Sequence, residues 1–345
     1  MNATVFAILV QDGVISGAIY ALVALSLVLV FTITRIIFIP QGEIIAYGAL
    51  TFVAIQSSSI PTTAWLSAGL GAVAATVGLW MDRRGLTPRG VSLLLAETIA
   101  LPVGVLLLVH WLVPLKLGAL ADIALTLLVV TPIGSYIYSA AFRPLSEASI
   151  LVLLIAAVGV HLSMTGIGLI FFGPEGWRAS ALFETNVTFG GLMLGGQSLW
   201  ILAVTAMLIT MLYVAFEFTV IGKALRATAV NRIGARLVGI SPHLSGRLAV
   251  TLATFIGALS GVLIVPIVTI YYDTGFLIGL KGFVAAMIGA LISYPIAAAG
   301  AILVGILESF SSYWASSLKE VIVFTSIIPV LLWRSLRSEV VEEDE

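Results

Sequence analysis

Six ionisable side chains, Glu43, Glu97, His110, Asp122, His161 and Glu308, lie inside long apolar stretches of the sequence. In hydrocarbon each is costly unless it faces a protein interior or a water-filled cavity, so each is a candidate for handling a polar solute or a proton. Glu43 has the most suggestive surroundings. It follows Pro40, Gln41 and Gly42, an interruption near the start of an apolar run. Freed amides and a helix start favour a polar guest there, and Gln41 adds a neutral donor and acceptor. The same residues admit a plainer role, with Glu43 bracing its own broken helix. Glu308 is followed by Ser311 and Ser312 at helical spacing, a polar stripe that reads as glue between helices. Glu97, near Arg89, reads as a paired or neutral residue toward one membrane face, and His161 with Ser163 as a cross-helix hydrogen-bonding pair.

Enzymatic chemistry has little support. A phosphate-cradling G-x-x-x-x-G-K-[ST] run is absent, since Gly222-Lys223 is followed by Ala224, so the chain does not bind ATP by that route. Neither a G-x-S-x-G elbow nor an H-E-x-x-H pair occurs, and no catalytic residue is assigned. With no cysteine and three scattered histidines, no metal site is expected. No nucleic-acid partner is expected either.

The elements that position these residues follow from composition. Of 345 residues, 60% are hydrophobic and 10% are charged, where a soluble domain carries about 25% charged residues. The chain is therefore an all-α, polytopic transmembrane bundle. A span needs about 20 apolar residues, and that ruler places helices near 10–33, 36–56, 62–81, 91–113, 118–140, 148–171, 195–216, 246–270, 281–294, 297–315 and 319–334. These eleven make one transmembrane domain, 1–335, followed by an acidic cytoplasmic tail, 336–345. The first run lacks a basic leader and is expected to be retained. Two of the eleven are unusual: 36–56 is interrupted near its start, and 281–294 is short. Both carry a related run, Gly42-Glu43 to Gly48-Ala49-Leu50 and Gly282-Phe283 to Gly289-Ala290-Leu291. Paired interruptions of this kind suggest an internal repeat with a pathway at its interface, lined by Gln41, Gly42, Glu43 and Gly282. The outer segment 172–194 reads as a cap over that pathway, a contact for an external partner, or an ordinary amphipathic hairpin.

The segment 218–247 breaks the apolar pattern with Lys223, Arg226, Arg232, Arg236 and Arg247 and no acid. In a membrane protein such a loop is cytoplasmic. At about 100° per residue its middle is an amphipathic helix, with Val230, Ile233 and Leu237 on one face and Arg232 and Arg236 opposite. Gly239 and Pro242 end it. Docking on a cytoplasmic partner and lying on anionic lipid are both open for such a helix.

Several blocks together resemble the integral membrane permease subunits of branched-chain amino acid ABC importers. They are Gly17-Ala18-Ile19-Tyr20-Ala21-Leu22, Phe38-Ile39-Pro40-Gln41-Gly42-Glu43 with Tyr47-Gly48, and Gly222-Lys223-Ala224-Leu225-Arg226-Ala227 with Asn231, Ala235, Leu237, Gly239 and Ile240. A further block runs from Gly279-Leu280-Lys281-Gly282-Phe283 to Gly289-Ala290, then Gly300, Gly305 and Glu308. The family often has an Asn-Phe-Ala-His-Gly-Glu run at positions 38–43, from which this chain departs, and residues 60–142 hold about two helices beyond its usual core. The resemblance implies a bacterial inner-membrane subunit that binds no cofactor itself. It pairs with a second permease, receives solute from an extracytoplasmic binding protein, and couples to two cytoplasmic ATPases that hold ATP and magnesium. Lys223, Arg226, Val230, Asn231, Ile233, Arg236, Leu237 and Gly239 are then the coupling residues. The solute would be a branched-chain or other amino acid or related compound, moved by alternating access. An ion-coupled carrier using Glu43, Glu97 or Glu308 as a proton relay, or a structural membrane protein, are the competing readings; adjacent genes for an ATPase, a second permease and a binding protein would favour the importer.

Sidedness follows from the basic residues. With the N-terminus outside, the inner loops collect twelve lysines and arginines and leave Lys116, Arg178, Lys281 and Lys319 as the four outside. A reporter fused after Glu345 is expected to be active only if it functions in the cytoplasm; activity restricted to the external side contradicts this orientation.

Overall fold

The computed structural model describes residues 2–83, 87–183, 185–189 and 192–337, so most of the acidic tail lies outside the described residues. Along the chain run α1 (Ala3–Thr34), α2 (Gln41–Gln56), α3 (Thr62–Asp82), α4 (Pro88–Leu95), α5 (Leu101–Leu112), α6 (Ala119–Ile137), α7 (Ile150–Phe172) and α8 (Gly196–Phe218). There follow α9 (Val220–Val230), α10 (Arg232–Leu237), α11 (Pro242–Ile264), α12 (Thr274–Ile288), α13 (Tyr294–Trp314), α14 (Lys319–Thr325) and α15 (Ile327–Arg337). A wide helical turn, Ala96–Ala100, joins α4 and α5 into one span. The bundle is nearly all helix, as expected. The exception is a β-hairpin, β1 (Asn186–Phe189) against β2 (Leu192–Gly195), in the outer segment 172–194.

Among the described residues, eight helices are long and apolar enough to cross a membrane. The other three of the eleven expected spans are shorter pieces. Helix α2 has 16 residues and at about 1.5 Å per residue reaches only about 24 Å. Helix α12 has 15 residues and begins at Thr274, seven residues before the expected start at 281. The last span is divided at Ser326 into α14 and α15.

Direction alternates along the chain so that Arg35, Arg83, Arg89, Arg143 and the α9–α10 segment gather at one end of the bundle. Ion pairs brace that end: Arg143 to Asp82 at 2.7 Å and Arg247 to Glu97 at 2.8 Å. Glu97 thus does pair with an arginine, though with Arg247 on α11 rather than its sequence neighbour Arg89. At the opposite end the segment after α7 lies over the entry to α12. Trp177 and Ile270 exchange backbone hydrogen bonds at 2.9 Å, and Arg178 Nε donates to the Pro266 carbonyl at 3.0 Å.

The expected repeat does not hold residue by residue. Gly48-Ala49-Leu50 lies inside α2, whereas Gly289-Ala290-Leu291 follows the end of α12, with Ala290 and Leu291 both at positive φ. The two short helices are nonetheless partners. A Cβ on Gly42 would strike the Gly275 carbonyl, and one on Gly275 would strike the Gly42 carbonyl, so the first turns of α2 and α12 touch backbone to backbone.

Lys281 is not an outer-loop residue. It is buried on α12, with Nζ 2.5 Å from Glu308 Oε1 on α13 and 3.3 Å from Glu320 on α14, while the Tyr20 hydroxyl of α1 donates to Glu308 Oε2 at 2.5 Å. The reading of Glu308 as helix glue gains its mechanism here: one buried cation fastens α12 to three other helices. Removing one member of a buried pair leaves an uncompensated charge and costs about 3–5 kcal/mol. Lys281→Met is therefore expected to lose that much stability in detergent, followed by thermal unfolding with size-exclusion readout. Adding Glu308→Gln should restore more than half of it; equal losses for the single and double variants contradict the ion-pair account.

Candidate functional site

The first turn of α2 sits at mid-depth in the bundle. Gln41 Nε2 donates to the carbonyl of Ala253 at 2.9 Å, and Ala253 is the central residue of the 23-residue α11. Glu43 faces His161, likewise the central residue of the 23-residue α7. Phe38 anchors the connection from α1 by packing edge-on against Phe142, 5.9 Å between centroids. Helix α2 therefore begins half way across, where its positive dipole end meets that of α12 and its first amides are satisfied by the preceding turn, Gln41 N to the Phe38 carbonyl and Gly42 N to that of Ile39.

Beside this junction lies a cavity of about 500 Å³. Its walls are Leu27, Ile37, Phe38 and Ile39 from α1 and the following link, Leu154, Val158, His161 and Leu162 from α7, and Phe276, Gly279, Leu280 and Phe283 from α12, with Gln41 from α2. The lining is apolar except for Gln41 and His161. Leu162 is largely exposed, so the cavity opens on the face shared by α1, α7 and α12.

Glu43 is 0% exposed and stands behind His161, whose Nδ1 lies 2.7 Å from Glu43 Oε1. The two side chains are paired with each other, whereas buried Gln41 Oε1 has no hydrogen-bond partner. The His161 ring stacks on Phe276 of α12, 4.6 Å between centroids at 26°. Of the residues assigned to a path from sequence, Gln41 lines the cavity, Glu43 reaches it only through His161, and Gly42 is consumed in the contact with Gly275. Gly282 does not reach it. A Cβ there would meet Val23 of α1, while its neighbours Gly279, Leu280 and Phe283 form the wall. Of the expected cross-helix pair, His161 does reach across to α2, whereas Ser163 Oγ donates to the Gly159 carbonyl of its own helix; the 118 positions between His161 and Glu43 leave no sequence signal for their pairing.

The second candidate element is the α9–α10 segment at the basic end. The continuous amphipathic helix expected across its middle is two helices. Asn231 leaves helical geometry at φ −149° and its Oδ1 accepts from Gly234 N at 2.8 Å, so it caps the start of α10. At the other end Gly239 has φ +85°, the left-handed stop expected of it. Leu225, Thr228 and Ala235 hold the segment down, with Thr228 Oγ1 3.0 Å from Ser245 Oγ of α11. Val230, Ile233, Leu237 and Val238 face outward at 74–87% exposure. Lys223 and Arg236 are exposed beside them, whereas Arg226 is paired with Glu217 at 2.8 Å.

A sequence model of the family described as branched-chain amino acid transport system / permease component matches residues 9–331. The high-affinity branched-chain amino acid transport system permease protein BraD of Pseudomonas aeruginosa is 28% identical over 229 residues, 64% of this chain and 74% of that protein. The permease protein LivH of the corresponding system in Escherichia coli is 24% identical over 333 residues, 93% of this chain and 91% of its own. LivH of Salmonella typhimurium is 27% identical over 215 residues, covering 60% and 69%. No solved structure matches this chain.

Proposed function

The chain belongs to the branched-chain amino acid transport system permease component family, and from that premise we propose that it is the membrane-spanning subunit of an ATP-driven importer for an aliphatic amino acid or a related compound. The observation that carries this reading is the pairing of a mid-depth cavity at a half-helix junction with an exposed apolar face on a basic segment. A solute needs the first; an energy-supplying partner needs the second.

Four features support the division of labour. The chain has no phosphate-cradling loop, so ATP and magnesium belong to partner subunits. Val230, Ile233, Leu237 and Val238 stand out at the end of the bundle that carries the arginines, where a soluble ATPase would meet them. The cavity walls are aliphatic and aromatic with few polar groups, which suits a compact apolar side chain on a polar head. The cavity opens sideways, and a second permease packed on the α1–α7–α12 face would close it into a path. The segment over α12 is the surface on which an external binding protein would deliver solute. Movement of the α9–α10 segment by the ATPases reaches α8 and α11 directly and the α2–α12 junction through α11, on which Gln41 rests.

The docking face gives the test. Apolar anchors at an interface centre cost more than about 2 kcal/mol on disruption, whereas exposed ion pairs contribute about 0–1 kcal/mol. Ile233→Asp or Leu237→Asp should abolish solute-stimulated ATP hydrolysis in the reconstituted complex, while Arg236→Ala lowers it only modestly. A segment that merely lies on lipid predicts the reverse ranking, with the double removal of Arg232 and Arg236 most damaging and the effect set by anionic lipid content.

A further inference from the structure

We propose that Glu43 and His161 are the two jaws of a binding site for a zwitterionic head group, which parts them and closes the exchange with one jaw on each of its charges. The proposal rests on the reading of the cavity as the solute path and names how that path recognises what it carries.

The polar groups at the junction are in contact but not satisfied. Buried polar atoms are nearly always hydrogen-bonded, and an orphan in a dry interior is costly. Yet Oε1 of buried Gln41 has no hydrogen-bond partner, and the side chains of fully buried Glu43 and of His161 meet no other polar side chain than each other, all at one place. A built brace looks different. At Glu308 one oxygen takes the Tyr20 hydroxyl and the other the Lys281 ammonium, with short contacts to both. Glu43 and His161 instead share one short contact, Nδ1 to Oε1 at 2.7 Å, with no other side chain on either group.

A zwitterion supplies both partners. Its ammonium takes the Glu43 carboxylate and its carboxylate takes the ring N–H of His161, so one internal contact is exchanged for two with the solute. A solute with a single charge would leave one jaw unpaired at mid-depth, where an unmatched charge is expensive. The positive ends of α2 and α12 lie on the same spot and favour the carboxylate further. Since His161 lines the cavity and Glu43 does not, the ammonium reaches Glu43 only by moving the imidazole. Moving it breaks the stack on Phe276 and so reports occupancy to α12. The rest of the solute then lies against Leu154, Val158, Leu280 and Phe283.

Ligand-observed NMR on the detergent-solubilised complex of permeases and ATPases, without the binding protein, tests this. The probes are L-leucine, its amine-free analogue 4-methyl-2-oxopentanoate and its carboxyl-free analogue isopentylamine. Leucine should bind at least about tenfold more tightly than either singly charged analogue, the discrimination expected of a site built around polar partners. Glu43→Gln should lose the preference for leucine over the keto acid, and His161→Phe the preference for leucine over the amine. His161→Gln serves the same purpose if the phenylalanine variant does not assemble. Each result is a ratio between ligands on one sample, so partial loss of folded protein does not affect it. Equal binding of leucine and the analogues, or preferences untouched by both substitutions, overturns the zwitterion site. Leu280→Trp, which fills the cavity, separates this from the path reading: if it leaves uptake intact the path itself is wrong, and if it blocks uptake while the ratios stay flat only the two-jaw site falls.

Discussion

The contact between Gly42 and Gly275 is the constraint on which the rest of the structure depends. In hydrocarbon a helix cannot begin half way across unless its free amides are buried in protein or face a cavity. Here α2 and α12 both begin inside the bundle, and each shields the other's first turn because neither has a side chain at the point of contact. The same contact places Gln41, Glu43 and the cavity-facing side of α12 around one space. Gln41, held by the Ala253 carbonyl, fixes that space to the centre of α11, and Lys281 fixes α12 from behind to Glu320 of α14 and to Glu308 of α13, which also accepts the Tyr20 hydroxyl of α1.

The two functional elements follow from this arrangement at different distances. The apolar face of α9–α10 is created by a local device, Asn231 ending one helix and capping the next, with Gly239 closing the segment. It remains exposed because Leu225, Thr228 and Ala235 already fill the contact with α8 and α11. Helix α11 touches both elements, its first residues holding the α9–α10 segment and its middle holding Gln41.

Much of this was legible in the sequence because it is one-dimensional. Apolar length gave eight of the eleven expected spans among the described residues, the arginines of 218–247 marked the exposed basic segment, and Pro40-Gln41-Gly42 marked the helix that begins at mid-depth. The rest depends on which helices become neighbours. Glu43 with His161, Arg247 with Glu97 and Lys281 with Glu308 are all cross-helix pairs, and only packing selects them. Lys281 was misplaced in an outer loop because 281–294 looked like a short span of its own; the structure starts that helix at Thr274 and turns the lysine inward. The split at Asn231 had a readable cue, an asparagine three residues before Gly234 with a helical pattern after it. The apolar periodicity of Val230, Ile233 and Leu237 ran through the break and concealed it.

The central claim is that the space beside the α2–α12 junction belongs to an alternating-access path. The chain contains no cysteine, so a single cysteine at Phe283, on the cavity wall, reports alone for this subunit. Its labelling by a membrane-impermeant maleimide in inside-out and right-side-out vesicles, with the ATPases resting or trapped with nucleotide, is the direct measurement. The account predicts labelling from one side at rest and a change of sidedness on trapping. Labelling only by lipid-soluble maleimide in every state would contradict it and make the cavity a feature of the lipid-facing surface.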